Sequence, residues 1–212
     1  MYDWIFIILG FIIAYLLGSI PSAVWVGKWF YNKDIRHEGS GNAGATNTFR
    51  VLGVKAGIPV IIVDVLKGYL AVFLMQYFIP VNWPEDTKIY VQIIAGFMAV
   101  IGHALPVFAG FKGGKGVGTL FGVGIALFPV AVWFPVAIFV VVFLFTGYVS
   151  LASMLGAFAF PFVVIFFTNQ ENVGLISLSV AAALFVLWTH RNNMKRLIKG
   201  EENRFRIWKK NA

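Results

Sequence analysis

Apolar residues run through this chain in long blocks, and the polar residues are confined between them. A helix crosses the hydrocarbon core of a bilayer with about 20 mostly apolar residues. On that measure the blocks predict spans over roughly 4–29, 56–79 (closed by Pro80), 89–108 and 173–188. Gly18, Ser19, Pro21 and Ser22 interrupt the first block and predict a kink there. A short acidic loop at 84–86 is predicted between the second and third spans. Residues 116–170 hold no charged side chain, and these 55 residues are too many for one crossing or two ordinary ones. Pro129 and Pro135 predict one break and 146–153 another, so three spans are expected, the first of them short. The pattern predicts an all-α integral membrane protein of seven transmembrane helices. No internal repeat or low-complexity linker is visible, so residues 1–212 are expected to form a single polytopic membrane domain.

Composition agrees with that class. The chain is 59% apolar and 12% charged, against about 25% charged in soluble domains. A formal charge of +8 would suit nucleic acid if it were spread over one face. Its placement points instead to a membrane surface, with lipid and not nucleic acid as the partner. Lys28, Lys33, Arg36, Arg50 and Lys55 flank or fill the first polar stretch, and Lys112 and Lys115 lie in the third. Eight more bases run from Arg191 to Lys210, while Lys88 is the only base in the intervening loops. An odd number of spans puts all the basic segments on one side, so the N-terminus is expected outside and the C-terminus in the cytoplasm. Lys209 and Lys210 are expected to lie on anionic lipid. The opening MYDW lacks the basic start of a cleaved signal peptide, and it is expected to be retained as part of the first span. With no cysteine, disulfides and thiolate chemistry are excluded.

The polar stretches carry the chemistry. GSGNAGATNTFR at 39–50 holds three glycines, two threonines, two asparagines, a serine and an arginine. Such a stretch can turn tightly, present backbone N–H groups and supply a bidentate charge, which is the inventory of a phosphate cradle. A flexible polar connector is the plainer reading. GHALPVFAGFKGGKGVGT at 102–119 brackets Lys115 with Gly113, Gly114 and Gly116 and feeds a helix start, a second anion site in physical terms. It is not a Walker A loop, because its spacing differs. In THRNNMKRLIKGEEN, His190 and Asn193 are three apart and would share a face of a continuing helix. Ser150 and Ser153 are expected in a charge-free cytoplasmic loop. Asp64 and Lys67, three apart inside an apolar span, read either as an ion path or as a structural pair. No His has an Asp five positions on, no Gly-x-Ser-x-Gly elbow occurs, and the three histidines offer no metal site.

Taken in order along the whole chain, GSGNAGATNTFR, GHALPVFAGFKGGKGVGT and HRNNMKRLIKGEEN, with DVLKG at 64–68, resemble the bacterial PlsY family of acyl-phosphate:glycerol-3-phosphate acyltransferases. Leu105 and Met194 depart mildly from that pattern. The resemblance implies transfer of an acyl group from acyl phosphate to the 1-hydroxyl of glycerol 3-phosphate in phospholipid biosynthesis, giving lysophosphatidic acid and phosphate. It implies a multi-pass protein of a bacterial inner (plasma) membrane with no cofactor and no metal, and the enzyme that makes acyl phosphate as a further partner. By motif match it implies Arg50, Lys115, His190 and Asn193 as catalytic residues. Ser40, Gly41, Asn42, Thr46 and Asn47, with Gly113, Gly114 and Gly116, would bind substrate, as would Ser153 and Glu202, the last also ordering the tail. Cytoplasmic-face loops at about 31–55, 109–119 and 146–153 and the tail 190–212 would carry the site. A membrane transporter of a phosphorylated solute is the competing class.

Overall fold

The computed structural model describes residues 2–168 and 170–205, and all regular structure among them is helical. In chain order the helices are α1 (Tyr2–Gly18), α2 (Ser22–Tyr31), α3 (Ala45–Leu52), α4 (Val54–Met75) and α5 (Glu85–Ala104), then α6 (Val117–Leu127), α7 (Trp133–Thr146), α8 (Val149–Phe167), α9 (Val173–Thr189) and α10 (Arg191–Ile198). Short 3₁₀ turns occupy Ile35–His37 and Val107–Ala109. Lys209 and Lys210, expected on lipid, lie outside the described residues.

Three stretches, α4, α5 with the turn after it, and α8, are long and apolar enough to cross a bilayer alone. Two bent pairs meet the same measure jointly: α1 with α2 at 43° and α9 with α10 at 58°. The protein is therefore a multi-pass membrane protein. The remaining apolar helices, α6 and α7, have 11 and 14 residues, or roughly 16 and 21 Å at the α-helical rise.

The predicted breaks lie at or near helix ends, except that Pro135, expected in a break, sits in the first turn of α7, where a missing N–H costs no ladder bond. The kink is the gap between α1 and α2: Pro21 has no N–H to continue the ladder, and the carbonyl of Ile20 is taken by Lys67 Nζ at 2.9 Å. Two expectations are corrected. Glu85 and Asp86 are not loop residues but the first turn of α5, where the helix dipole favours acids. Ser150 and Ser153 are buried on α8, not in a loop, because Gly147 caps α7 in the left-handed region and only Tyr148 separates it from Val149.

Contacts divide the chain into two compact units. The first holds residues 1–129 and 172–175, hence α1 to α6. Its helices approach at glycines, as membrane helices do where lipid supplies no hydrophobic drive. A Cβ on Gly18 would strike the backbone of Ala99, and one on Gly122 the carbonyl of Val65. Ile7, Ala14, Ala71, Met75, Ala95 and Ala99 fill its core, and Ala23, Val24, Ile35, Ala43 and Val60 form a second cluster under the first polar stretch. Among the described residues the second unit holds the remainder, from Val130 onward. There α7 packs along α8 and α10 against α8. Phe205 closes on the end of α7, its N–H donating to the Gly147 carbonyl at 2.8 Å.

Candidate active site

In the first unit the 39–50 stretch is a built structure and not a flexible connector. Asn47, on α3 and 2% exposed, ties it together. Its Oδ1 accepts the Ser40 N–H at 2.9 Å, and its Nδ2 donates to the carbonyls of Ile35 at 3.0 Å and Glu38 at 2.9 Å. The amide of Asn47 is thereby engaged inside the loop. Ser40 and Gly41 are exposed, and Asn42 and Thr46 are half-buried. Arg50 is exposed on the last turn of α3.

A charged clamp that sequence reading missed links this stretch to the second motif. Arg36 grips Asp34 through Nε at 2.9 Å and Nη2 at 2.7 Å, while its Nη1 donates to the Ala109 carbonyl at 2.8 Å. Lys28 approaches Asp34 at 3.3 Å. The hydrogen bonds from Arg36 hold the Asp34 carboxyl well below the usual carboxylate range against the opposing effect of burial. Only the alternation of Asp34 and Arg36 in the chain hinted at it. Their shared partner at Ala109 is remote in sequence.

The glycine loop follows. Gly113, Gly114 and Lys115 are half-buried, and buried Gly116 caps the start of α6, whose first N–H groups have no partners within the helix. Beneath the loop lies a buried polar cluster. Asp64 Oδ1 accepts Ser22 Oγ at 2.7 Å and Lys67 Nζ at 2.9 Å. His103 Nδ1 stands 3.6 Å from the same oxygen. Asp64 and Lys67 are therefore mates in one buried network. His103 carries no role in the sequence reading, because nothing local in the chain points from it to Asp64.

In the second unit Glu202 is the hub. It accepts Ser150 Oγ at 2.8 Å and Asn193 Nδ2 at 2.6 Å on one oxygen, and Arg196 Nε at 2.7 Å on the other. Burial pushes this carboxyl up, and the three hydrogen bonds outweigh it, holding the group below its ordinary value. The helix expected to carry His190 and Asn193 on one face is broken: His190 caps α10 at the 58° bend, and Asn193 lies in the first turn beyond. Both side chains are buried. His190 Nδ1 lies 2.9 Å from the Val186 carbonyl, which assigns the proton to that nitrogen. Ser153 Oγ donates to the Val149 carbonyl at 2.9 Å.

Two polar assemblies rich in anion-binding groups, each carried by apolar helices, narrow the known proteins this chain could resemble. The glycerol-3-phosphate acyltransferase family model matches residues 8–200. A glycerol-3-phosphate acyltransferase of Fusobacterium nucleatum is 43% identical over 197 residues, 92% of this chain and 96% of the relative. One from Listeria monocytogenes is 46% identical over 191 residues, 90% and 92%. Among solved structures, the integral membrane glycerol 3-phosphate acyltransferase PlsY in its glycerol 3-phosphate form has a TM-score of 0.84 at 35% identity, covering 94% of this chain and 96% of that one. Its lysophosphatidic acid form has a TM-score of 0.79 at 34% identity, covering 94% and 95%. With almost its entire length matched in sequence and in fold, this chain belongs to the PlsY family of integral membrane glycerol-3-phosphate acyltransferases.

Proposed function

We propose that the protein transfers an acyl group to the 1-hydroxyl of glycerol 3-phosphate and releases lysophosphatidic acid, at the inner membrane of a bacterium. The observation that carries this reading is the family match over residues 8–200. The PlsY structures add to it, one described as the glycerol 3-phosphate form and one as the lysophosphatidic acid form. The relatives above are acyltransferases by name, and the transporter expectation gains no support from them.

Acyl phosphate is the donor in this proposal, and the enzyme that makes it is the neighbour in the reaction sequence. The glycerol hydroxyl attacks the acyl carbonyl. A new ester C–O bond forms, the bond from the acyl carbon to the phosphate oxygen breaks, and inorganic phosphate leaves. Such a leaving group needs little help beyond positioning and charge stabilisation. Ser40, Gly41, Asn42, Thr46, Gly113, Gly114 and Gly116 hold the donor phosphate, with Asn47 fixing the loop from behind. Arg50 and Lys115 balance the charge of both substrates. Ser153, His190 and Asn193 receive glycerol 3-phosphate, with Glu202 ordering Asn193. The hydroxyl proton passes either to a substrate phosphate or to His190. Seven crossings with the N-terminus outside complete the proposal, α6 and α7 being the two short ones.

Initial-rate kinetics of purified protein test it. Direct transfer gives intersecting lines when both substrates are varied. Parallel lines, with acyl label trapped on Ser40 in the absence of glycerol 3-phosphate and discharged as fast as turnover, would replace it by a covalent mechanism. Absence of lysophosphatidic acid altogether would end the acyltransferase reading.

A further inference from the structure

His103 stands where the buried charges of the first unit meet the glycine loop. It closes α5, is 6% exposed, and has Asp64 on one side and Gly113–Gly114 on the other. Its carbonyl accepts the Gly114 N–H at 3.2 Å. A Cβ on Gly113 would collide with that carbonyl, and a Cβ on Gly114 would collide with Nε2 of the ring. On the other side, Nδ1 has no hydrogen-bond partner and faces Asp64 Oδ1 at 3.6 Å. Asp64 is itself held by Ser22 and Lys67, and Lys67 by the Ile20 carbonyl freed at the α1–α2 break. A small cleft lined by Ser22, Ala43, Asp64, Lys67, His103 and Gly113 puts this cluster against a residue of each glycine-rich stretch.

We propose that Asp64 acts through His103 as a positioning pair for the glycine loop: the ring and carbonyl of His103 are the mould on which Gly113 and Gly114 lie, and Asp64 fixes that ring. The Nδ1–H of a neutral His103 points to Asp64, and a closing of a few tenths of an ångström makes that contact a hydrogen bond of ordinary length. The tautomer and the ring plane are then set from the membrane interior, much as outer carboxylates orient metal-bound histidines. Gly113 and Gly114 are glycines because the mould leaves no room for a side chain. Neither Asp64 nor His103 touches substrate in this account. The functional consequence rests on the acyl-transfer reading, but the positioning itself does not.

The test compares full-length wild type with D64N, H103A, H103N and H103Q in detergent. An asparagine amide can stand in for Nδ1 of histidine and a glutamine amide for Nε2, so H103N keeps the donor to Asp64 and H103Q does not. Nitrogen NMR of the histidine rings should show His103 neutral and protonated on Nδ1, with that preference weakened in D64N, whose amide oxygen is a poorer acceptor than the carboxylate. Hydrogen exchange across residues 110–119 should quicken in D64N and H103A and return toward wild type in H103N only. The KM for acyl phosphate should rise about tenfold to a hundredfold in H103A with a smaller change in kcat, and H103N should recover most of it. Loop exchange unchanged in D64N and H103A, or H103N behaving no better than H103Q, overturns the proposal. If H103A fails to fold, the D64N measurements and the H103N–H103Q pair decide. A wild type that makes no lysophosphatidic acid removes the acyl-transfer reading alone, since the NMR and exchange results still judge the pair.

Discussion

In the proposed mechanism single side chains divide into those that meet substrate and those that hold the loops in shape. Arg50 and Lys115 are assigned to the first group, and they fail differently when changed. Lys115→Ala removes a point charge, whereas Arg50→Lys keeps the charge and removes the planar fork. Each is expected to lower kcat/KM for acyl transfer by about a hundredfold, the usual scale for one oxyanion-stabilising group. Near-normal rates in both variants would separate these residues from the reacting phosphates. Glu202 belongs to the second group. Its carboxyl is held below its ordinary value of 4.5, so its contribution is complete above that pH and is lost as pH falls through the depressed value. Thermal stability of the wild type should therefore decline on acidification below that point, and Glu202→Gln should flatten this part of the profile. An unchanged acid slope in the variant would remove Glu202 as its source.

Elements were legible in the sequence wherever their cause is local. Proline marks the α1–α2 and α6–α7 breaks through its missing N–H, and Gly147 marks the α7–α8 break through a left-handed cap, because both causes act within a few residues. The bend at His190 was not legible, since no proline or glycine stands between Thr189 and Arg191. In the site, the three motifs were visible as composition, but the division of labour within them was not. Asn47 looked like a ligand group and proves to engage Ser40, Ile35 and Glu38. The partners of Asp64 and Arg36 are brought near only by folding, and a linear pattern carries no sign of them. Asn47→Ala should take three hydrogen bonds from the first loop, removing the acceptor of the Ser40 N–H while the Ile35 and Glu38 carbonyls keep the N–H groups of Glu38 and Gly41, a loss of about 0.5–1.5 kcal/mol per hydrogen bond. The variant should extract normally yet show faster hydrogen exchange across 35–41. Exchange that stays as slow as in wild type would mean the loop has another tie.

Across the whole chain, the base distribution makes a prediction that labelling can check. Single cysteines at Glu85, Val130 and Glu171 should react with an impermeant reagent added outside cells, and those at His37 and Gly200 only after the membrane is opened. External reaction at His37 would invert the orientation. The first unit also takes in residues 172–175 from far along the chain. Asn172 reaches Asp86 at 2.9 Å and caps the Leu175 N–H at 3.1 Å, and Gly174 fits so closely on Tyr90 that a Cβ there would collide with the ring. A ribosome releases these pieces in a fixed order. The helices up to α6 are made first, yet the Tyr90 face near the N-terminal end of α5 lacks these contacts until the chain has been extended past residue 175. During synthesis the first unit thus waits for a clasp that arrives last, and a nascent chain halted at residue 129 would present the bare Tyr90 face to whatever attends its insertion.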